Sequence, residues 1–145
     1  MISNDKNRPG PGNPEEKTIL IVDDNDAVWD LLYYIVRKEG FRVEKATDGK
    51  EAIDKARMLR PGLIILDLAP QAGFETMREL QADDTVNIPI ILLSDRRLDQ
   101  ATLELITQEP NIKGFMQKPV DAQPLTALLH KILMTHPPEK HSACG

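Results

Sequence analysis

The chain has one cysteine, Cys144, so it can form no internal disulfide and no thiolate metal cluster. That scarcity suits a reducing compartment, and the expected location is the cytoplasm. There is no surplus of basic residues either. Eighteen Lys and Arg against 23 Asp and Glu leave a formal charge of −5. A nucleic-acid-binding face would want the opposite sign, so direct nucleic-acid contact is not expected. No apolar run reaches the length of a membrane span, which argues against membrane insertion. The first stretch, MISNDKNRPGPGNPEE, has no apolar segment of the kind a signal peptide requires. No glycine-rich loop follows the first apolar run, which argues against a nucleotide-binding Rossmann domain. What is present is a chain of 145 residues, 41% hydrophobic, which is enough for a single core.

Proline, glycine and polar residues crowd both ends. Residues 1–16 read as a flexible leader and residues 135–145 (THPPEKHSACG) as a flexible tail, leaving 17–134 as the folded domain. Within it, short apolar runs alternate with longer stretches of helical period. The runs are Thr18 to Val22, the weaker Arg42 to Lys45, Leu63 to Leu66, Ile88 to Leu93 and Gly114 to Met116. Val28, Leu31, Leu32, Ile35 and Val36 form one helical face, capped by Asn25 or Asp26 and ended by Gly40. Asp48 and Glu51 have capping-box spacing ahead of Ala52, Ile53 and Ala56. Phe74 to Gln81 and Leu98 to Glu109 are less regular but read better as helix than as strand. Leu125, Leu128, Leu129, Ile132 and Leu133 give the last helical face, after Asp121.

The order is therefore βαβαβαβαβα, with strands β1 to β5 and helices α1 to α5. Strands separated by helices run parallel, because each crossover needs a helix's length. The runs LIIL and IILL do not alternate apolar with polar, so both faces of the sheet are covered. The fold class is α/β, a doubly wound sheet of five parallel strands. Ligands of such sheets bind beyond the carboxyl ends of the strands.

Those ends carry a set of polar residues that no local pattern requires. TILIV runs into Asp23 and Asp24, LIIL into Asp67, PIILL into Ser94, and GFM through Gln117 into Lys118. Carboxylates held together raise one another's pKa, and a hard divalent cation such as Mg²⁺ resolves the conflict. Asp67 is then the natural nucleophile for a phosphoryl group, since a carboxylate can form an acyl phosphate. Lys118 and Ser94 can hold phosphoryl oxygens.

The paired DD at 23–24, LIILD ending at 67, IPIILLS ending at 94 and FMQKP at 115–119 resemble the response-regulator receiver family of two-component signalling. The resemblance covers the whole folded domain and implies a flavodoxin-like (βα)5 fold with strand order 2-1-3-4-5. It also implies that Asp67 accepts phosphate from a sensor histidine kinase or phosphotransfer protein. By the same resemblance Asp24, Asp67 and the Ala69 backbone carbonyl bind Mg²⁺, with Asp23 acting mainly through water. Ser94 follows the phosphate inward, and Phe115 is the aromatic that reports it on the α4–β5–α5 face to a downstream protein partner. A homodimer is left open. The chain is then a phosphorelay switch, a phosphoprotein and not an enzyme.

Two features depart from the family pattern. Pro70 and Gly73 stand third and sixth after Asp67 (70 − 67 and 73 − 67), where the family commonly has Pro fourth and Gly eighth, so this loop is expected to be short. Asp95 follows Ser94, where a small residue is usual. It either faces the site and inhibits it, or turns outward to cap the following helix or pair with Arg96 or Arg97. Both features support an alternative, a phosphorylation-independent pseudo-receiver that serves as an interaction module. A dehalogenase-like phosphatase ranks lower, because the position two beyond Asp67, where that class wants an acid, is Ala69. Elsewhere, Trp29 and Tyr33 read as packing or surface residues. His130, one step off the apolar face of α5, reads as a surface residue, and His136, His141 and Cys144 belong to the tail.

Overall fold

The computed structural model describes residues 12–68 and 72–138. The five strands are β1 (Thr18–Val22), β2 (Arg42–Ala46), β3 (Leu63–Asp67), β4 (Ile90–Ser94) and β5 (Ile112–Gln117). They form one parallel sheet in the order β2-β1-β3-β4-β5. The helices are α1 (Asp26–Lys38), α2 (Gly49–Leu59), α3 (Ala72–Glu79), α4 (Gln100–Thr107) and α5 (Ala122–Leu133). No helix among the described residues is long and apolar enough to cross a membrane.

The central strands are buried on both faces, as their unbroken apolar runs require. Leu20, Val22, Ile64, Leu66, Ile90 and Leu92 face one core layer, completed by Ala52, Ile53 and Ala56 of α2 and by Met77 of α3. The alternate residues Ile19, Ile21, Leu63, Ile65, Ile91 and Leu93 face the other, against Leu32, Ile35 and Val36 of α1 and Leu125 and Leu129 of α5. Gly114 in β5 makes room for α5, since a Cβ there would lie 2.6 Å from Leu128 Cδ2.

The caps set where each helix enters the rim. Asn25, not Asp26, caps α1, its Oδ1 accepting from Val28 N at 3.1 Å. Asp48 caps α2 through Glu51 N at 2.8 Å, while Glu51 Oε1 reaches back to accept from Thr47 N at 2.9 Å. Asp99 caps α4 through Thr102 N at 2.8 Å. Of the roles left open for Asp95, that removes the cap: α4 begins at Gln100, two residues later than Leu98, which places Asp95 outside it.

Parts of both presumed tails are structured. Pro14 is buried in a 3-10 turn, Pro14–Glu16, and Gly12 N donates to Met134 O at 2.6 Å. His130 corrects a second expectation. It is buried, with Nδ1 2.7 Å from Thr135 Oγ1, Nε2 2.8 Å from Glu39 Oε1, and its ring against Phe41. The sequence periodicity placed it off the apolar face of α5 correctly. The end of α1 and the residue after α5 close over that position and bury it.

Candidate functional site at the carboxyl rim of the sheet

Four of the rim residues converge. Asp23 follows directly on β1 and is almost fully buried, at 2% exposure. Its Oδ1 accepts from Asn25 N at 2.9 Å, a local turn that fixes the carboxylate, and its Oδ2 accepts from Lys118 Nζ at 2.9 Å. Asp67 closes β3, and its Oδ1 lies 2.9 Å from the same Nζ. Asp24 is exposed beside them. One carboxylate oxygen from each of Asp23, Asp24 and Asp67 lies within 4.8 Å of the others. Lys118 follows β5 and is anchored by its own N–H, which donates to Ser94 O at 2.7 Å. The Lys118–Pro119 peptide is cis.

The charges explain one another. Burial raises the pKa of Asp67, the Asp23 and Asp24 charges push it further the same way, and hydrogen bonding to Lys118 only partly offsets them. For Lys118, burial pulls the pKa down, but hydrogen bonds to Asp23 and Asp67 outweigh it and leave the ammonium held above its ordinary value. Both partners thus move upward, although an isolated ion pair would lower the acid. Lys118 gains from two carboxylates at once, whereas Asp67 shares one ammonium and faces two like charges. Asp23, Asp24 and Asp67 less the Lys118 ammonium leave a net charge of −2 (−3 + 1) on the cluster, whose acids line a cleft of about 130 Å³. The donors are all oxygens, without imidazole or thiolate, which fits a hard cation such as Mg²⁺.

The other expected residues stand differently. Ser94 is buried, but its hydroxyl is engaged locally, donating to Arg96 O at 2.9 Å and accepting from Arg96 N at 3.0 Å. Phe115 is half-buried against the core layer that contains Ile90 and Leu92. Asp95, Arg96 and Arg97 are exposed. The Ala69 carbonyl, Pro70, His141 and Cys144 lie outside the described residues. Trp29 packs under the rim and donates its indole N–H to Ile21 O at 3.3 Å, while Tyr33 stacks on it at 5.1 Å.

Sequence reasoning missed the cleft's other wall. Thr47, Asp48 and Gly49 from the start of α2, and Gly73 and Thr76 from α3, line it together with the acids. The available signal was the short interval after Asp67: α3 starts only five residues on (72 − 67), close enough for its first turn to border the cleft.

The model of the response regulator receiver domain matches residues 19–130. Among curated relatives, the alkaline phosphatase synthesis transcriptional regulatory protein PhoP of Bacillus subtilis is 32% identical over 119 residues, covering 81% of this chain and 48% of that protein. Protein PilH of Pseudomonas aeruginosa is 30% identical over 118 residues, covering 79% of this chain and 96% of PilH. The chain thus spans about half the length of the first relative and nearly all of the second. Among solved structures, the receiver domain of a sensor histidine kinase from Pseudomonas aeruginosa superposes with a TM-score of 0.71 at 26% identity, covering 81% of this chain and 97% of that one. That domain carries a magnesium ion coordinated in its active-site cleft. The signal receiver domain of a signal transduction histidine kinase from Syntrophus aciditrophicus superposes with a TM-score of 0.69 at 30% identity, covering 81% of this chain and 89% of that one.

Proposed function

The chain belongs to the response regulator receiver domain family, and from that membership we propose that it is a phosphoacceptor switch carrying its phosphoryl group on Asp67. Receivers of this family are signalling switches that pair with histidine kinases or phosphotransfer proteins. The observation that carries the proposal is the double engagement of Lys118, whose ammonium lies 2.9 Å from both Asp23 and Asp67 in a cleft with Asp24 beside it.

The reaction asks little covalent chemistry of the protein. A carboxylate oxygen of Asp67 forms a bond to the donor phosphorus. The phosphorus–nitrogen bond of the donor phosphohistidine breaks, and its electron pair returns to the imidazole. The product is an acyl phosphate. The rest is positioning and charge. Asp23, Asp24 and Asp67 are the residues that would hold Mg²⁺, which when bound neutralises oxygens of the incoming phosphoryl group. Lys118 pairs with Asp67 beforehand and with a phosphoryl oxygen afterwards. Its ammonium is a compact charge on a long stem, suited to following an anion that moves. Ser94 reaches the phosphoryl group only by giving up its bonds to Arg96, and Phe115 lies on the next strand, paired through Leu92. Output then passes through the α4–β5–α5 face to a protein partner, with the chain in the cytoplasm.

Incubation with acetyl phosphate, with and without Mg²⁺, tests the reading by intact mass. A single phosphoryl adduct that requires Mg²⁺ supports it. No adduct under either condition would leave the phosphorylation-independent interaction module in its place.

A further inference from the structure

Two glycines mark a contact that neither turn geometry nor the cleft's charges explain. Gly73 and Gly49 both have ordinary backbone angles, since Gly40 is the only glycine at positive φ among the described residues. Neither is a glycine for conformational freedom. At Gly73, a Cβ would lie 2.6 Å from the Asp67 carbonyl oxygen and 2.6 Å from Leu68 Cα. The first turn of α3 is therefore seated directly on the peptide that carries the acid, with no side chain between. At Gly49, a Cβ would overlap the Thr76 hydroxyl. Thr76 is 3% exposed and so fills the space between α3 and the first residue of α2. The contacts run without a gap from Asp67 through Gly73 and Thr76 to Gly49. Gly49 and Thr76 line both the acid cleft and a separate groove of about 380 Å³ on the outer surface of the α2–α3 pair, where Lys50, Asp54, Arg57, Glu75 and Glu79 are found. Close-packed matter passes strain on and does not absorb it.

We propose that α3 is a relay through which occupancy of the acid cleft is passed to α2 and to the groove between them, giving the domain a second responsive face besides α4–β5–α5. The inference rests on the cleft binding a divalent cation. It adds an output route that does not pass through Ser94 or Phe115. The physical cause is the short connection after Asp67. It brings α3 into contact with the Asp67 peptide, so any shift of that strand end displaces the helix, and Thr76 displaces α2 in turn.

Amide hydrogen exchange on the full chain, with and without saturating Mg²⁺, tests this, with binding followed separately by calorimetry. A segment whose opening breaks the site exchanges roughly tenfold more slowly at about ten times the dissociation constant. The expected result is slowing of that order in peptides from both 72–79 and 49–59 of the wild type. In Thr76→Ala, compared at its own saturating Mg²⁺, slowing persists in 72–79 and is lost in 49–59. Thr76→Ser, which keeps the hydroxyl, restores it. Slowing of 49–59 in Thr76→Ala equal to wild type overturns the relay, because α2 then senses the cleft directly through Thr47 and Asp48. A response confined to α4 and α5 overturns it as well. Absence of binding heat in the wild type overturns the cation reading of the cleft and the relay with it, whereas heat without slowing in 49–59 and 72–79 overturns the relay alone.

Discussion

The sheet has a buried acid–base cluster at each end, and the two are built to opposite specifications. At the carboxyl rim, Asp23 and Asp67 share Lys118 while Asp24 stands beside them. At the other end, His130 meets Glu39 through one ring nitrogen and Thr135 through the other. The second cluster is closed: one acid, one base, both ring nitrogens occupied, an aromatic ring over the face. The first is open, with more acid than base, an Asp67 carboxylate whose pKa burial pushes up, and an ammonium shared between two partners. A satisfied cluster holds structure. An under-compensated one has capacity left for a cation and an anion that arrive later.

The largest separation between the clusters is expected from Lys118→Ala. It leaves buried Asp23 without its cation, and breaking a buried pair from one side costs about 3–5 kcal/mol when the remaining charge is fully desolvated. Lys118 and Asp67 keep some solvent contact, so a loss below that range, roughly 1–3 kcal/mol, is expected in apo thermal or urea unfolding. Mg²⁺ should recover more stability in this variant than in wild type, and phosphoryl uptake should fall further than the fold is weakened. An unfolded Lys118→Ala protein would mean that the open cluster is structural after all.

His130→Ala should cost about 1–3 kcal/mol, because Glu39 and Thr135 lose a buried partner. That loss should be the same with and without Mg²⁺, and the phosphorylation rate should match wild type. A changed rate would join the two ends of the sheet, which the comparison keeps apart.

The pH dependence comes from the direction of the Asp67 shift. Its folded pKa lies above its unfolded value, so its contribution to stability is present below about pH 4 and is lost as pH rises through the folded pKa. Asp67→Asn has no such loss. Its apo stability relative to wild type should therefore increase from about pH 4 toward neutrality, in denaturant melts at low salt. A difference that shrinks over that range would show that Lys118 more than compensates the Asp67 charge. The Lys118 shift acts at the alkaline end: its contribution holds below the ordinary lysine pKa and fades as pH rises through the raised one.

The smallest contrast concerns two acids just outside the rim. Asp95 is exposed, so Asp95→Ala should change stability by no more than about 0.5 kcal/mol and leave the phosphorylation rate within roughly twofold. Asp99 caps α4, and Asp99→Ala should cost about 1 kcal/mol in chemical denaturation. A clear acceleration in Asp95→Ala would restore the inhibitory role that the sequence left open.

The sheet and the acid cluster were legible in the sequence for one reason. Buried parallel strands read as unbroken apolar runs, and the residues just past each run stand on one rim, so Asp23, Asp67 and Lys118 fall together from the residue order alone. The closed cluster was not legible. His130 lies off the apolar stripe of α5, and its burial comes from Glu39 and Thr135, one from the end of α1 and the other beyond α5, with no periodicity to announce it. The α3 wall was hidden for a related reason. Glycine in a helix usually signals weakness, and at Gly73 it signals that a peptide from another element lies too close for a side chain. The cap of α4 was missed because the residue pattern suggested a start at Leu98, ahead of Asp99, which is the residue that caps it.

The proposed role of the open cluster is to carry a phosphoryl group on Asp67. The most direct measurement is intact and peptide-level mass of wild type and Asp67→Asn after incubation with acetyl phosphate and Mg²⁺. One adduct is expected in wild type, on the peptide containing Asp67, and none in Asp67→Asn. An adduct of equal yield in Asp67→Asn, or one mapped to another residue, would contradict it.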